Sequence, residues 1–298
     1  MVKPINTPPT FNEQIPQLSI GVPVFNEEAY IEETLRSLQA QDYSNIEIIV
    51  SDNGSTDTTL NICKGIAKND ARIKIYDYKA NRGALWNFQN LLSLAKGEFF
   101  MWAGAHDRWL PSFGSSCILA LQESPDNVTA YPAGEFVDQN GHSLGAISTA
   151  YDTRGVHNRI RPWVTAWLLQ SHYAYPIYGV HRTEVISKVS LTNKCIGPDV
   201  VALFELAFLG CTVYVSGQPK IEIRQTNDYG DWSAYLERIY GSTEITTKQA
   251  LRDMRSAYWK VIKKRVHTLK GKWFHLFCLF TFMPVLRNWS KKATNDFP

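Results

Sequence analysis

The first 110 residues alternate regularly, and this constrains the chain more than any other feature. Short apolar runs, "LSIGVPVF" (18–25), "IEIIVSD" (46–52), "RIKIYDY" (72–78) and "EFFMWA" (98–103), read as strands because they are brief and rich in β-branched or aromatic residues. Between them lie segments with helical character. In 29–41, Ile31, Leu35 and Leu38 fall on one face, and Glu32 and Glu33 sit where the helix dipole favours acids. Residues 53–69 form a turn and then a helix, with Ser55, Thr56 and Asp57 as candidate caps. Residues 83–97 form a helix expected to close on Gly97. Such β-α-β-α-β-α-β order requires crossover helices and a largely parallel sheet covered on both faces.

In sheets of this kind ligands bind beyond the carboxyl ends of the strands. The polar residues concentrate there: Asn26 and Glu27 after the first strand, Asp52 and Asn53 after the second, His106 and Asp107 after the fourth. Neither a Walker A sequence nor GxGxxG occurs, so a P-loop NTPase and a dinucleotide enzyme are both unsupported.

Charge divides the chain. From residue 247 onward twelve basic residues face two acidic ones, although the whole chain carries only +3. An acidic body with a basic tail is not the footprint of a nucleic-acid-binding core. Within the tail, Leu251, Met254, Trp259 and Ile262 lie among basic residues in 245–270, and a nearly all-apolar stretch follows at 273–286. That stretch is shorter than the roughly 20 residues a spanning helix needs, and Pro284 interrupts it. An in-plane helix on an anionic membrane, anchored by Trp273 and Trp289, is the expectation. A hairpin packed on the domain or on a second subunit, as in a homo-oligomer, is the alternative. Five scattered cysteines suggest buried free thiols, and the polar, proline-rich start is no signal peptide, so a cytoplasmic protein peripheral to the inner membrane face is expected.

Four stretches in order, "LSIGVPVFNEEAYIEETLRSLQAQ", "IEIIVSDNGSTDTT", "NRGALWNFQNLLSLAKGEFFMW" and "HDRWLP", resemble family 2 glycosyltransferases, inverting enzymes of the GT-A fold. The resemblance covers residues 18–225. It implies an α/β, Rossmann-like nucleotide-binding domain with a mixed, mostly parallel sheet flanked by helices. The domain would span 18–240, with the nucleotide sugar held by 18–110 and the acceptor side in 111–240. An extension (1–17) would precede it and the basic, apolar helical tail (241–298) would follow.

The resemblance also implies site residues. Pro23, Val24, Asn26 and Glu27 match the first nucleotide-contacting loop. Asp52 matches the carboxylate that meets a pyrimidine N3–H, with Asn53 beside it, and such a partner suits uracil or thymine rather than cytosine. Asn81 and Gly83 match the loop lying against the nucleotide, with Asn87 on the following helix. The family's Asp-x-Asp-Asp motif, which holds Mg²⁺ or Mn²⁺ on the diphosphate, corresponds to Gly104-Ala105-His106-Asp107. His106 and Asp107 are therefore the candidate metal ligands, a pair better suited to Mn²⁺ than to Mg²⁺.

Asp199, at the start of "GPDVVALFELAFLG", matches the base that takes the acceptor proton; Glu205 is its rival, with structural pairing the expected role. Arg224 resembles a late basic residue that reaches the diphosphate, and Tyr178 and His181 stand where a sugar could be lined or a core filled. The implied activity is metal-assisted transfer from a UDP- or dTDP-sugar to a hydroxyl of a glycan or lipid-linked acceptor. Two alternatives remain at this point. A nucleotidyltransferase is disfavoured by the acidic "PVFNEE" loop. A non-catalytic nucleotide-sugar or partner-binding module is favoured by the loss of two carboxylates from the Asp-x-Asp-Asp motif.

Overall fold

The structure, a computed structural model, describes residues 18–147, 151–171, 174–191, 195–218, 220–225, 245–268, 270–276 and 278–279. The expected alternation forms: β1 (Leu18–Val24), α1 (Ile31–Gln39), β2 (Ile46–Asp52), α2 (Thr59–Ala67), β3 (Ile73–Asp77), α3 (Ala84–Leu94) and β4 (Phe99–Trp102). Next come β5 (Arg108–Trp109), α4 (Phe113–Gln122), β6 (Asn127–Pro132), β7 (Gly134–Val137), β8 (Ser143–Ala146) and α5 (Arg161–Ser171). A 3₁₀ turn (Tyr175–Tyr178), β9 (Val180–Arg182), α6 (Thr183–Ile186), α7 (Pro198–Leu206), β10 (Cys211–Val215), β11 (Ile221–Arg224) and α8 (Thr247–Arg265) complete it.

Among the described residues, seven strands form the main sheet in the order β10, β6, β9, β4, β1, β2, β3. Pairing is parallel except where β9 runs against β4 and β6, so the sheet is mixed and mostly parallel as expected. Val24, Asp52 and Asp77 stand in register at one end, which brings the loops after β1, β2 and β3 together. A smaller sheet, β5, β11, β7, β8, lies beside the continuation of β4.

The two-residue period of a strand divides the core. Ile48 and Val50, with Phe99 and Met101, join α1, α2 and α4 in one cluster; Ile49, Phe100 and Trp102 join α3, α5, α7 and α8 in the other. In α8 the residues Ala250, Met254, Ala257, Tyr258, Val261 and Ile262 recur at helical spacing and are all buried. For 247–265 this is the packing of the alternative, a helix docked on the domain: Met254 and Ile262 cover the protein itself, against α7, while Leu251 and Trp259 are half-buried against the same cluster. Residues 270–276 are helical too, whereas Trp289 and the rest of 280–298 lie outside the described residues. No helix among the described residues is long and apolar enough to cross a membrane.

Helix α3 ends at Leu94, earlier than expected, and Ala95 is already extended. Gly97 is needed for another reason. A Cβ there would stand 2.8 Å from the Ser19 backbone N and 2.9 Å from the Phe99 carbonyl oxygen. Its own N–H donates to Ser19 Oγ at 2.8 Å. The expected side-chain caps of α2 also differ: its N-cap is Thr58, while Asp57 Oδ1 accepts from the Thr59 N–H at 3.0 Å. All five cysteines are free, four of them buried.

Candidate active site

The loops after β1 and β2 are stitched by their own polar side chains. Asn26, the non-glycine residue with positive φ (55°) among those described, donates its N–H to Ser55 Oγ at 2.9 Å. Its side-chain oxygen accepts from the Thr56 N–H at 2.8 Å. Glu27 N–H donates to Thr59 Oγ1 (2.8 Å) and Thr58 donates to Glu28 (2.6 Å). Asn fits here because its short amide tolerates the left-handed region.

Asp52 closes this arrangement from below. Its Oδ1 accepts from the Ser55 hydroxyl (2.5 Å) and N–H (3.2 Å); its Oδ2 is buried with no hydrogen-bond partner. Burial raises the carboxyl's pKa, the Ser55 bonds oppose this, and Asp77 and Asp57 add to the rise. A buried acceptor without a donor is costly, so it marks a place awaiting one. Asn53 is fully used: it donates to Asn81 Oδ1 (2.9 Å) and Gly83 O (3.3 Å) and accepts from the Arg82 N–H (3.0 Å). Gly54, with φ of +83°, lets this turn pass close to the backbone of Ala80 and Asn81.

Asn87 departs from its expected place against the nucleotide. It is buried, accepts from Ser51 Oγ (2.5 Å) and donates to Ser51 O (3.0 Å), so it ties α3 to β2.

After β4 the chain turns through 104–107. Asp107 is 3% exposed, and its Oδ1 accepts from the Arg224 N–H at 2.9 Å. Its Oδ2 lies 2.5 Å from where a Cβ at 104 would be, so Gly104 is required by the inward turn of this carboxylate. Burial raises the Asp107 pKa, while His106 and Arg224 oppose the rise. His106 stays 35% exposed in its side chain, and its Nδ1 lies 3.2 Å from Glu27 Oε1. Burial depresses its pKa, but the Glu27 hydrogen bond and the Asp107 charge outweigh that, and the net shift is upward.

Arg224 was expected to reach a diphosphate. Instead it is buried and binds protein oxygens: His106 O (3.0 Å), Gln139 O (2.7 Å), Asp138 O (3.3 Å) and Glu33 Oε2 (2.6 Å). Its guanidinium also lies 4.7 Å from the centre of the Tyr30 ring. In this arrangement it fastens the 106–107 turn to β11 and α1.

Asp199 lies in the first turn of α7, after Gly197 in the left-handed region (φ 61°) and Pro198 at the helix start. Burial raises its carboxyl pKa, and the Val200 N–H, at 2.9 Å, opposes this. The charge on Asp199 helps burial push the Cys195 thiol up to about 12. Glu205 is instead a structural carboxylate, as expected of a carboxylate in an apolar helix. It is fully buried and accepts from Arg265 Nε (2.8 Å) and the Ser190 N–H (2.9 Å), with Lys264 Nζ at 2.9 Å. His181 is core: Thr129 Oγ1 lies 2.9 Å from Nδ1 and Ile177 O lies 3.0 Å from Nε2.

Residues 19–162 match the family model described as glycosyl transferase family 2. The match covers just under half of the chain, which over that stretch is similar to this family. The chain is 37% identical over 118 residues to an uncharacterized glycosyltransferase of Haemophilus influenzae, covering 40% of the chain and 36% of the relative. It is 38% identical over 99 residues (32% and 31%) to the GalNAc(5)-diNAcBac-PP-undecaprenol beta-1,3-glucosyltransferase of Campylobacter jejuni. The chain thus spans about a third of the length of these curated relatives.

Among solved structures, Staphylococcus aureus TarS 1–349 with UDP-GlcNAc aligns at TM-score 0.63 and 19% identity, over 86% of this chain and 69% of that one. The mannosyltransferase PcManGT of Pyrobaculum calidifontis, solved with GDP-Man and Mn²⁺, aligns at 0.52 and 16% identity, over 95% and 85%. At such identities the likeness speaks for the fold, which is the expected GT-A arrangement.

The structure brings Asn26 and Asp52 together through Ser55, ties Glu27 to Thr59, and joins Asn53, Asn81 and Gly83 in a second bonded group, with Pro23 and Val24 on the strand end and His106 beside Glu27. Three participants went unpredicted. Ser55, read only as a cap, holds Asp52; Glu33, read only as a dipole-favoured acid, holds Arg224; Gly54 allows the close turn. An Asp-Asn-Gly-Ser run is itself a turn signal and could have located Ser55 and Gly54. Nothing local could have located Glu33, which lies 191 residues from its partner.

Proposed function

We propose that this protein transfers a sugar, with inversion, from a nucleoside-diphosphate donor to a hydroxyl of a glycan or lipid-linked acceptor, with UDP- or dTDP-sugars favoured. The observation that carries this reading is the buried, unpartnered Oδ2 of Asp52 at the end of β2. Uracil and thymine present an imide N3–H that a carboxylate can accept, whereas cytosine presents an acceptor. Asn26, Glu27, Asn53, Asn81 and Gly83 supply the rigid floor around it, with Pro23 and Val24 below. A lipid-linked acceptor is supported by the names of two relatives, the PP-undecaprenol enzyme above and a dolichyl phosphate enzyme of Methanococcus voltae that is 30% identical over 170 residues.

In the proposed reaction the Asp199 carboxylate takes the proton of the acceptor hydroxyl as that oxygen bonds to the anomeric carbon. The bond from that carbon to the diphosphate oxygen breaks, and its electron pair leaves with the nucleoside diphosphate. A carboxyl whose pKa is raised by burial is a stronger base near neutral pH than an exposed one.

The fold family implies a divalent cation, and the donor set can be tested for it. No group of three or more His, Cys, Asp or Glu side chains converges among the described residues, so the protein offers no closed cage. An ion sharing its shell with a diphosphate needs only one or two protein ligands. A proton on His106 Nδ1, donated to Glu27, leaves Nε2 as a lone pair, an arrangement that commonly aims imidazole at metals. The set therefore fits a cation held by His106, with Asp107 bracing the turn, and imidazole favours Mn²⁺ over Mg²⁺. When bound, such a cation would neutralise charge gathering on the departing diphosphate.

The test is calorimetric titration of UDP, dTDP, GDP and CDP, each with Mn²⁺, Mg²⁺ or EDTA. UDP or dTDP should bind, and Asp52→Asn should weaken that binding roughly ten- to a hundredfold, the worth of a hydrogen bond to a charged group. His106→Ala should reduce the preference for Mn²⁺. Preferential GDP binding would overturn the donor assignment, and binding of none of the four would favour the non-catalytic module, to which the Gly104 substitution points.

A further inference from the structure

Helix α5 and the residue before it carry an apolar stripe, Ile160, Trp163 and Trp167, at helical spacing. Its middle is covered. Trp163 Nε1 donates to His275 Nδ1 at 2.7 Å, the two rings stack at 6.0 Å, and Phe204 of α7 lies 5.1 Å from Trp163. The ends are bare: Ile160 is 46% exposed and Trp167 61% exposed. The helical residues 270–276 that supply His275 also present Trp273, 64% exposed, only two positions away. Arg159 lies over Phe274 at 4.4 Å, a second contact joining the two segments.

Two stretches more than a hundred residues apart are thus packed together, each with an exposed tryptophan. Their charges agree as well. Residues 154–170 contain three arginines and no acid, and residues 254–279 seven Lys or Arg and no acid. Arg154 pairs with Asp152 and Glu123, and Lys264 and Arg265 with Glu205, so those three are engaged within the protein. Exposed large aromatics are costly in water, and tryptophan is at its best at the level of lipid headgroups. Cations beside it add attraction to anionic lipid.

We propose that this face, built from α5 and the helix of residues 270–276, seats the protein on an anionic bilayer, with Trp167 and Trp273 inserted at headgroup depth. The surface deepens the lipid-linked acceptor reading and draws its purpose from it, while its geometry stands independently. Helix α5 packs on α7, whose first turn carries Asp199, so a membrane on this face lies on the acceptor side of the molecule.

The test is co-sedimentation of the full chain with vesicles of phosphatidylcholine alone and of phosphatidylcholine mixed with phosphatidylglycerol, at low and high salt. Binding should require phosphatidylglycerol and weaken with salt. Trp167→Ala and Trp273→Ala should each lower partitioning roughly tenfold, and Lys270→Glu by about fivefold or more. UDP titration and circular dichroism on the same variants report whether the fold and the donor site persist, so a failed donor reading and a failed surface are told apart. Equal binding to both vesicle types, or unchanged partitioning in both tryptophan variants, overturns the proposal. So does a dimer in sedimentation velocity that the same substitutions split, since the face would then join two copies of the chain.

Discussion

His181 stands between Thr129 and Ile177, fully buried, and burial lowers its pKa to about 4. The unfolded chain binds that proton near 6.5, so between these values the unfolded state holds more protons and stability rises with pH. Acidification from 6.5 to 4 should therefore remove about 3 kcal/mol from this residue alone. His275, buried against Trp163 and also lowered to about 4, adds to the loss in the same window. Urea midpoints measured across that range should fall on the acid side, and His181→Gln should flatten the slope. In sequence, "YGVHR" could serve a sugar site or a core equally well, because burial, which decides between them, is not a local property. Asp52 was legible by contrast, since a polar residue ending a buried strand has only the carboxyl edge of the sheet to occupy.

Between elements, the most consequential contact is the one from α8 to α7. Glu205, in an apolar helix, required a partner on chemical grounds, and the partners are Arg265 and Lys264 from 60 residues further on. Removing the carboxylate leaves both cations without a counter-ion, but both keep the Lys188 carbonyl as acceptor and Lys264, 43% exposed, can rehydrate. The cost of Glu205→Ala should accordingly be about 2–3 kcal/mol, below the range for fully buried pairs. Thermal denaturation would measure it, and a change under 1 kcal/mol would mean the pair is ornamental. The boundary of α3 teaches a related lesson. A glycine after a helical run resembles a C-cap, yet Gly97 is held by a clash with Ser19 across the sheet, a pairing absent from its own neighbourhood.

Across the whole molecule, the tail is the part whose role changed most. Its basic, amphipathic pattern suits a membrane helix and a docked helix alike, because periodicity fixes which side is apolar and not what covers it. Met254, Val261 and Ile262 are buried, and at about 2 kcal/mol each they contribute on the order of 6 kcal/mol, comparable to the net stability of a domain. A chain ending before Thr247 should therefore be insoluble or lose its cooperative melt, and a soluble, fully folded truncation would refute that. The resemblance alone singled out Asp199; the residues themselves carried the alternation, a largely parallel sheet, the loops that gather at its carboxyl end and the carboxylates at 52 and 107. These follow from local periodicity and from where polar residues interrupt it. Only long-range contacts settled that Arg224 and Asn87 face protein, that Gly104 makes room for Asp107, and that two distant segments with exposed tryptophans pack together. Those facts depend on which surfaces are covered, and coverage is settled only when elements far apart in the chain compete for the same space.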